Sequence, residues 1–247
     1  YILTKMSDEG VSFSEALKEA QALGYAEADP TFDVEGIDSA HKLTILASLA
    51  YGIPLSMKKI YTEGISIITP MDIQFAWEFG YKIKLLAIAK RSGDQVELRV
   101  HPTMIPVDDL ISSVHGVFNA IYIEGDAIDI AKNIQFGAAG KAPILSVPEK
   151  NGRSVKKMED ITTCYYLRFS ALDKPGVLSK ISGILGNRNI SIKSMIQKGR
   201  KKEKAVPLVL MTHEARERDM TQALKEINSL RVVSGKPLRL RVEGGEA

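Results

Sequence analysis

Between Glu27 and Lys42 the chain places five carboxylates and an amine within sixteen residues: Glu27, Asp29, Asp33, Glu35, Asp38 and Lys42. Pro30 and Gly36 fix the path of the loop that carries them. Asp38 and Lys42 lie four apart at the start of a predicted helix and so share one face. A carboxylate in that first turn also sits well against the positive end of the helix dipole. These residue types suit a zwitterionic amino acid. Carboxylates hold an ammonium, and an amine exchanges a proton with a hydroxyl or carbonyl oxygen, its pKa lowered by burial and raised by nearby anions. On spacing alone, a capped helix start with a surface ion pair accounts for the same residues.

The elements that must position this loop follow from periodicity. Phe13, Ala16, Leu17, Ala20 and Leu23 recur at helical spacing, which predicts a helix over 14–23 with Ser14 as N-cap and Gly24 as its stop. A second helix is predicted from Ile37 to Tyr51, ended by Gly52 and Pro54. Its broad apolar surface predicts deep packing. Short strands are expected around Ser66–Ile68, Lys84–Lys90, Val96–Val100 and Asn119–Glu124, with a helix or turn over Asp108–Val114. This mixture predicts an α+β domain over residues 1–136, with a mixed, largely antiparallel sheet and helices. Residues 137–160 are aperiodic, rich in Gly, Pro and Lys near their start, and read as a linker.

Residues 161–247 alternate more regularly. Strands at Tyr165–Ser170, Ile190–Gln197, Leu208–Thr212 and Leu238–Val242 are separated by helices starting at Val177 and Arg218, and a turn, Asp173-Lys174-Pro175-Gly176, precedes the first helix. The order βαββαβ is a ferredoxin-like sandwich. Both helices are expected on one sheet face, leaving the other to solvent or a partner.

Composition narrows the function classes. The 247 residues carry a net charge of +3, with 45% apolar and 26% charged residues, as in a globular chain. Residues 1–152 hold 13 basic and 20 acidic side chains and the remainder 20 and 10, so two independently built units are expected. The basic residues of the second unit are interleaved with apolar ones, which reads as a solvated face. The cluster Gly199–Lys204 reads as a hairpin turn. Without stacking-aromatic or zinc-finger patterns, no nucleic-acid partner is expected. The nearly apolar stretch Leu43–Leu55 is shorter than the ~18 residues a membrane span needs. With no secretory leader and a single cysteine, Cys164, a cytoplasmic setting is expected. The opening residue, Tyr1, fits a chain that starts inside a longer protein. His41, His101, His115 and His213 are scattered, and no metal site is expected. Trp77 and Phe79 beside Tyr81 are expected to pack, and Cys164 to fill core space.

The pattern Ala20-x3-Gly24-Tyr25-Ala26-x2-Asp29-Pro30-x2-Asp33-Val34-x-Gly36-x-Asp38-x3-Lys42 resembles the homoserine dehydrogenase signature throughout its length. The later segments Leu167-Arg168-Phe169-x3-Asp173-Lys174-Pro175-Gly176-Val177-Leu178 and Asn189-Ile190-Ser191-Ile192 resemble an ACT domain, a small-molecule-sensing module. The family resemblance implies NAD- or NADP-dependent interconversion of homoserine and aspartate 4-semialdehyde. It implies Lys42 as the proton donor to the carbonyl oxygen, Asp38 as the carboxylate that orients it, and Glu27 and Asp33 as substrate-binding acids. From the ACT resemblance come an effector site at Asp173, Gly176 and Asn189, threonine as effector, and a homodimer or homotetramer. The alternative is a non-catalytic, dimeric amino-acid sensor with a vestigial first unit.

The chain departs from the family pattern in two respects. No strand–Gly-x-Gly-x-x-Gly–helix unit occurs, and with the dinucleotide-binding unit go the family's second lysine and its metal-ion site. The Gly-rich segment and Pro-Thr step that the family carries after the strand ending near Gly125 are also missing, so about twenty residues of a functional loop are expected to be absent around Ala127.

Overall fold

The computed structural model describes residues 1–125, 128–131, 153–198 and 205–244. The first part holds α1 (Ile2–Glu9), α2 (Phe13–Ala22), α3 (Thr31–Val34), α4 (Ile37–Tyr51), β1 (Tyr61–Thr62), α5 (Pro70–Glu78), β2 (Tyr81–Ser92), β3 (Gln95–Pro106), β4 (Ile123–Gly125) and β5 (Ile128–Ala131). Then come β6 (Ser154–Val155), β7 (Thr162–Leu172), α6 (Val177–Gly186), β8 (Ile192–Gln197), β9 (Ala205–Thr212), β10 (Ala215–Arg216), α7 (Glu217–Asn228) and β11 (Val233–Val242).

Strand β3 is the spine. Along one edge it pairs antiparallel with all of β2, joined through Gly93 at φ 59° and Asp94. Along the other edge it takes three parallel partners in turn, each over two residues: β6 at Gln95–Val96, β1 at Arg99–Val100 and β11 at Thr103–Met104. From β11 the sheet continues through β7 and β9 to β8, each pair antiparallel. Strands β7, β8, β9 and β11 with α6 and α7 form the expected βαββαβ unit, and the whole is a mixed α+β fold.

Three cores hold these layers. Val96, Leu98 and Val100 on one face of β3 pack with Ala40, Leu43 and Ala47 of α4. Tyr165, Leu167 and Phe169 of β7 pack under α6 and α7 through Ile181, Leu185, Met220 and Ile227. The second face of that sheet was expected to meet solvent or a partner. Instead Tyr166, Val209, Met211, Leu238 and Leu240 are buried against Met6, Ala16, Ile68 and Phe75 from the first part of the same chain. The two units share a core and a sheet. The end of the expected linker also joins them, because β6 lies on β3 and Lys156 reaches Glu97 at 3.0 Å.

Several local expectations change. The cap of α2 is Ser12, not Ser14: Ser12 and Glu15 form a reciprocal capping box. Ser66–Ile68 is a turn leading to α5, because Thr69 and Asp72 form a second capping box there with Pro70 in the first turn. Asp108–Val114 contains a 3-10 turn at Leu110–Ser113, with Asp109 accepting from the Ile111 N–H at 2.8 Å. Of Asn119–Glu124 only the end enters β4. Helix α4 has the expected bounds but is not deeply packed. Ala40, Leu43, Thr44 and Ala47 are buried, whereas Ile45, Leu46 and Leu49 are exposed. Trp77 is exposed on the outer side of α5, while Phe79 is packed. Cys164 packs against the core shared by the two units without being fully buried. The basic cluster 199–204, and the linker up to residue 152, lie outside the described residues.

The capping box of α5 also pins the two units together. Asp72, wholly buried, accepts from Arg168 Nε at 2.6 Å and Nη2 at 3.1 Å and from the Tyr166 hydroxyl at 3.1 Å, while its second oxygen caps Thr69. Thr69→Ala is expected to lower unfolding free energy by about 1 kcal/mol, the usual cost of a lost cap. Urea denaturation checks this, and an unchanged midpoint would refute it.

Candidate active and regulatory sites

The loop after α2 returns to the body of the protein at Gly36. This residue has φ 75° and precedes α4; a Cβ there would meet Val100 Cγ1 at 3.0 Å. Backbone conformation and close approach to β3 both demand glycine, and they fix where α4 begins. Asp38 and Lys42 fall on its first two turns, with Lys42 Nζ donating to Asp38 Oδ2 at 2.6 Å. The Lys42 side chain is 70% exposed, so the amine stands on the surface of this chain and not in a closed cleft.

The remaining acids divide by what they touch. Asp29 caps the turn into α3, accepting from the Thr31 N–H at 3.1 Å and hydroxyl at 2.6 Å. Glu35 accepts from the Ser66 hydroxyl at 2.8 Å. These two are structural. The Glu27 and Asp33 carboxylates are exposed and have no side-chain partner among the described residues, and neither is bonded to the Lys42–Asp38 pair. The structure therefore joins Asp38 to Lys42 and leaves Glu27 and Asp33 with free acceptor capacity. Around them Tyr25, Phe32, Ile45, Leu46 and Leu49 are exposed apolar residues of the same loop and helix. Phe32 stacks at a tilt on His41, ring centres 5.3 Å apart.

In the second unit Asp173 and Gly176 share the turn between β7 and α6, and Gly176, at φ 83°, opens the helix. A Cβ built on Gly176 would meet nothing within 4 Å beyond its chain neighbours, so the outer side of this turn is open. Asp173 accepts from Gln197 Nε2 at 3.4 Å. Asn189, at φ 56°, lies beyond the other end of α6. The ten residues of α6 between them, at ~1.5 Å each, span about 15 Å, so one chain does not bring all three together.

The sequence reading missed a buried ionic cluster where the units meet. Arg241 of β11, with 0% exposure, donates to Glu217 of α7 at 2.6 and 3.0 Å and to Glu63 of the first unit at 2.7 Å. Arg239 adds bonds to Glu217 at 2.7 Å and Glu63 at 3.3 Å. Burial pushes the Tyr61 phenol up to about 12, and its O–H donates to Glu63. Burial also pushes the Glu63 carboxyl up, but the adjacent Arg241 outweighs it and holds that carboxyl at about 2. The neighbouring His101 is pushed well below its ordinary value by burial and by Arg241 and Arg99, so it is neutral and accepts from Arg99.

The chain is thus an α+β unit with a surface lysine–carboxylate pair, joined to a ferredoxin-like βαββαβ unit. Comparison with known proteins agrees. A sequence model of homoserine dehydrogenase matches residues 1–144, and one of the ACT domain matches residues 165–232. A homoserine dehydrogenase of Pseudomonas aeruginosa is 44% identical, the match covering 98% of this chain and 62% of that protein. The Helicobacter pylori homoserine dehydrogenase is 42% identical, with the same coverage. A crystal structure of a homoserine dehydrogenase from Thiobacillus denitrificans superposes with a TM-score of 0.85 at 43% identity, over 98% of this chain and 61% of that one. The chain belongs to the homoserine dehydrogenase family. It spans about 62% of the length of the curated relatives it matches. The alignment with the Pseudomonas protein is 272 residues long. That exceeds the 247 residues here, so the relative carries segments this chain lacks. The position where a loop was expected to be missing, Ala127, lies outside the described residues.

Proposed function

We propose that this chain is the substrate and regulatory part of an oxidoreductase that interconverts L-homoserine and L-aspartate 4-semialdehyde. The observation that carries the reading is the Lys42–Asp38 pair on the opening turns of α4, beside two acids with unused acceptors. In this reading Glu27 and Asp33 hold the substrate ammonium. Lys42 gives a proton to the carbonyl oxygen in reduction and takes the hydroxyl proton in oxidation. Asp38 keeps the amine pointed at that oxygen and keeps it supplied with protons. NAD or NADP supplies or accepts the hydride. The sequence contains no glycine-rich strand–turn–helix that cradles a pyrophosphate, so the residues here would not hold the dinucleotide by themselves, and no step on this chain runs through it. The exposed apolar residues around Lys42 are the half of a cleft that a cofactor-carrying surface closes, excluding water from the amine.

The regulatory reading takes threonine at the Asp173–Gly176 turn, its carboxylate on the first N–H groups of α6. Strand β8 is an edge of the sheet, pairing only with β9 among the described residues, and a second copy can extend the sheet there. A second copy also solves the separation of Asn189 from Gly176, so a homodimer, or a homotetramer of two such pairs, is the working assembly. No described helix is long and apolar enough to cross a membrane. A cytoplasmic setting belongs to the proposed reading, because the proposed chemistry is that of amino-acid biosynthesis.

Glu27→Gln tests the substrate site. Losing a charge-assisted hydrogen bond of about 1.5–3 kcal/mol is expected to lower kcat/KM for homoserine about 10- to 100-fold, mostly through KM. Steady-state kinetics on the protein of full family length reads this. An unaltered KM removes Glu27 from the site.

A further inference from the structure

The buried ionic cluster and the acid loop meet in one segment, residues 63–66. Strand β1 runs into Glu63, whose N–H donates to the Val100 carbonyl at 2.8 Å. The next three residues lean on the loop that carries the candidate substrate acids. The Ile65 N–H donates to the Val34 carbonyl at 2.9 Å, and the Ser66 hydroxyl donates to Glu35 Oε1 at 2.8 Å. A Cβ on Gly64 would come within 2.7 Å of the Glu35 Cα, so only glycine lets the two backbones approach this closely. Val34 and Glu35 directly follow Asp33, and Val34 is buried. Segment 63–66 therefore fixes one end of the loop, and a shift of the segment carries Asp33 with it.

The carboxylate of Glu63 joins the second unit. It accepts from Arg241 Nη1 at 2.7 Å and from Arg239 Nη2 at 3.3 Å. Helix α7 holds both arginines more firmly. Arg241 grips Glu217, the first residue of that helix, through Nε at 3.0 Å and Nη2 at 2.6 Å, one carboxylate oxygen each. Arg239 Nη1 donates to Glu217 at 2.7 Å and to the Thr221 hydroxyl oxygen, one turn further on, at 2.9 Å. A two-point fork fixes an angle as well as a distance, so α7 and the arginines form one body to which Glu63 is attached. Ions buried in this way add little stability over apolar side chains of the same volume, and their best-attested use is to fix register. Arg241 also keeps Glu63 ionised, holding its carboxyl at about 2, so the attachment persists at neutral pH.

We infer that Glu63 is a positioning residue, through which the placement of α7 in the second unit sets the placement of the acid loop over residues 31–36. It touches no substrate and acts on Asp33 through the Gly64–Ser66 backbone. A ligand or assembly step that tilts α7 alters how the loop presents Asp33, and by reciprocity a ligand on the loop biases α7. The kinetic consequence rests on the reading of Asp33 as a substrate acid; the mechanical link does not.

Hydrogen exchange on the protein of full family length tests the link without any substrate. Glu63→Gln keeps the side-chain shape and removes the charge. The amides of Asp33, Val34, Glu35 and Gly36, which close the α3 turn, are expected to exchange about tenfold faster in it. Those of Leu208–Met211, buried in β9, should not change. Glu217→Gln, at the far end of the cluster, should act on the same four amides in the same direction. Steady-state kinetics should show KM for homoserine raised about tenfold in Glu63→Gln with kcat within about twofold, a split that a mere loss of stability does not produce. Unchanged loop exchange in folded Glu63→Gln overturns the inference. So does equal acceleration at Leu208–Met211, which would mean general loosening, or an unaltered loop in Glu217→Gln, which would detach α7 from it. Should Glu63→Gln fail to fold, Ser66→Ala removes only a hydroxyl and should speed the same four amides; no change there overturns the inference as well. Faster loop exchange with an unaltered KM would uphold the link and remove Asp33 from the substrate site.

Discussion

Lys42→Ala is expected to reduce turnover by about 10²-fold or more, the scale of losing a positioned acid–base group, while leaving thermal stability almost unchanged. The second half of that expectation follows from the geometry. The Lys42–Asp38 bond is 2.6 Å, but the lysine side chain is 70% exposed, and exposed i,i+4 pairs contribute only about 0.3–0.5 kcal/mol. A large kinetic loss on an intact fold therefore isolates chemistry from structure. Lys42→Arg separates proton transfer from charge. Arginine keeps the charge but does not release its proton near neutral pH, so it should be nearly as slow as alanine. Activity in either variant close to that of the parent protein would remove Lys42 from the mechanism and leave the non-catalytic sensor as the better reading. The assay is steady-state turnover of aspartate 4-semialdehyde on the protein of full family length, with a melting curve beside it.

Arg241→Met is expected to produce the opposite pattern, a loss of about 3–5 kcal/mol in unfolding free energy, because breaking a buried pair strands its partners. Glu217 and Glu63 would remain with only Arg239 between them. Chemical denaturation measures the loss, and a change below about 1 kcal/mol, the range of surface pairs, would show that the cluster is not acting as a buried one. Acid provides an independent check. The folded Glu63 carboxyl is held at about 2 against an ordinary value of 4.5. Its contribution to stability is thus complete above about 4.5 and is lost as the pH falls from there through about 2. The Met variant, lacking the arginine that holds that carboxyl down, should lose less stability over this window than the parent does.

The pattern of the sequence reached some of this and stopped at a definable point. The bounds of α4 were legible because Gly36 and Gly52 punctuate it. The βαββαβ order was legible because strand and helix periods alternate cleanly from Tyr165 to Val242. Asp38 and Lys42 were legible as a pair because four residues on a helix is a local distance. Glu27 and Asp33 could be named from family resemblance, but only the structure separates them from Asp29 and Glu35, whose carboxylates are committed to Thr31 and Ser66. The alternation of Leu238, Leu240 and Val242 with Arg239 and Arg241 reads as inside against outside. In the fold both faces of β11 are covered, and Arg241 is wholly buried. The same holds for Glu97, Arg99 and His101 in β3. Period-2 alternation identifies a strand but does not tell a solvated polar face from one sealed by ion pairs to residues more than a hundred positions away, such as Glu63 with Arg241. Helix α5 was missed for a related reason: its nine residues, apolar on several sides, show little helical contrast, and its decisive signal was the Thr69–Asp72 cap.

The three strands that each pair with one edge of β3 over two residues restrict how this family can drift in length. Each of them meets β3 at a fixed pair of positions, and side chains along a strand switch sides with every step. Adding or deleting one residue between Gln95 and Thr103 would turn Arg99 and His101 toward the aliphatic side chains of α4 and send Val100 among the ions. Length differences among homologous proteins in this stretch should therefore come in twos, or be absorbed in the hairpin at Gly93, where no partner strand keeps count.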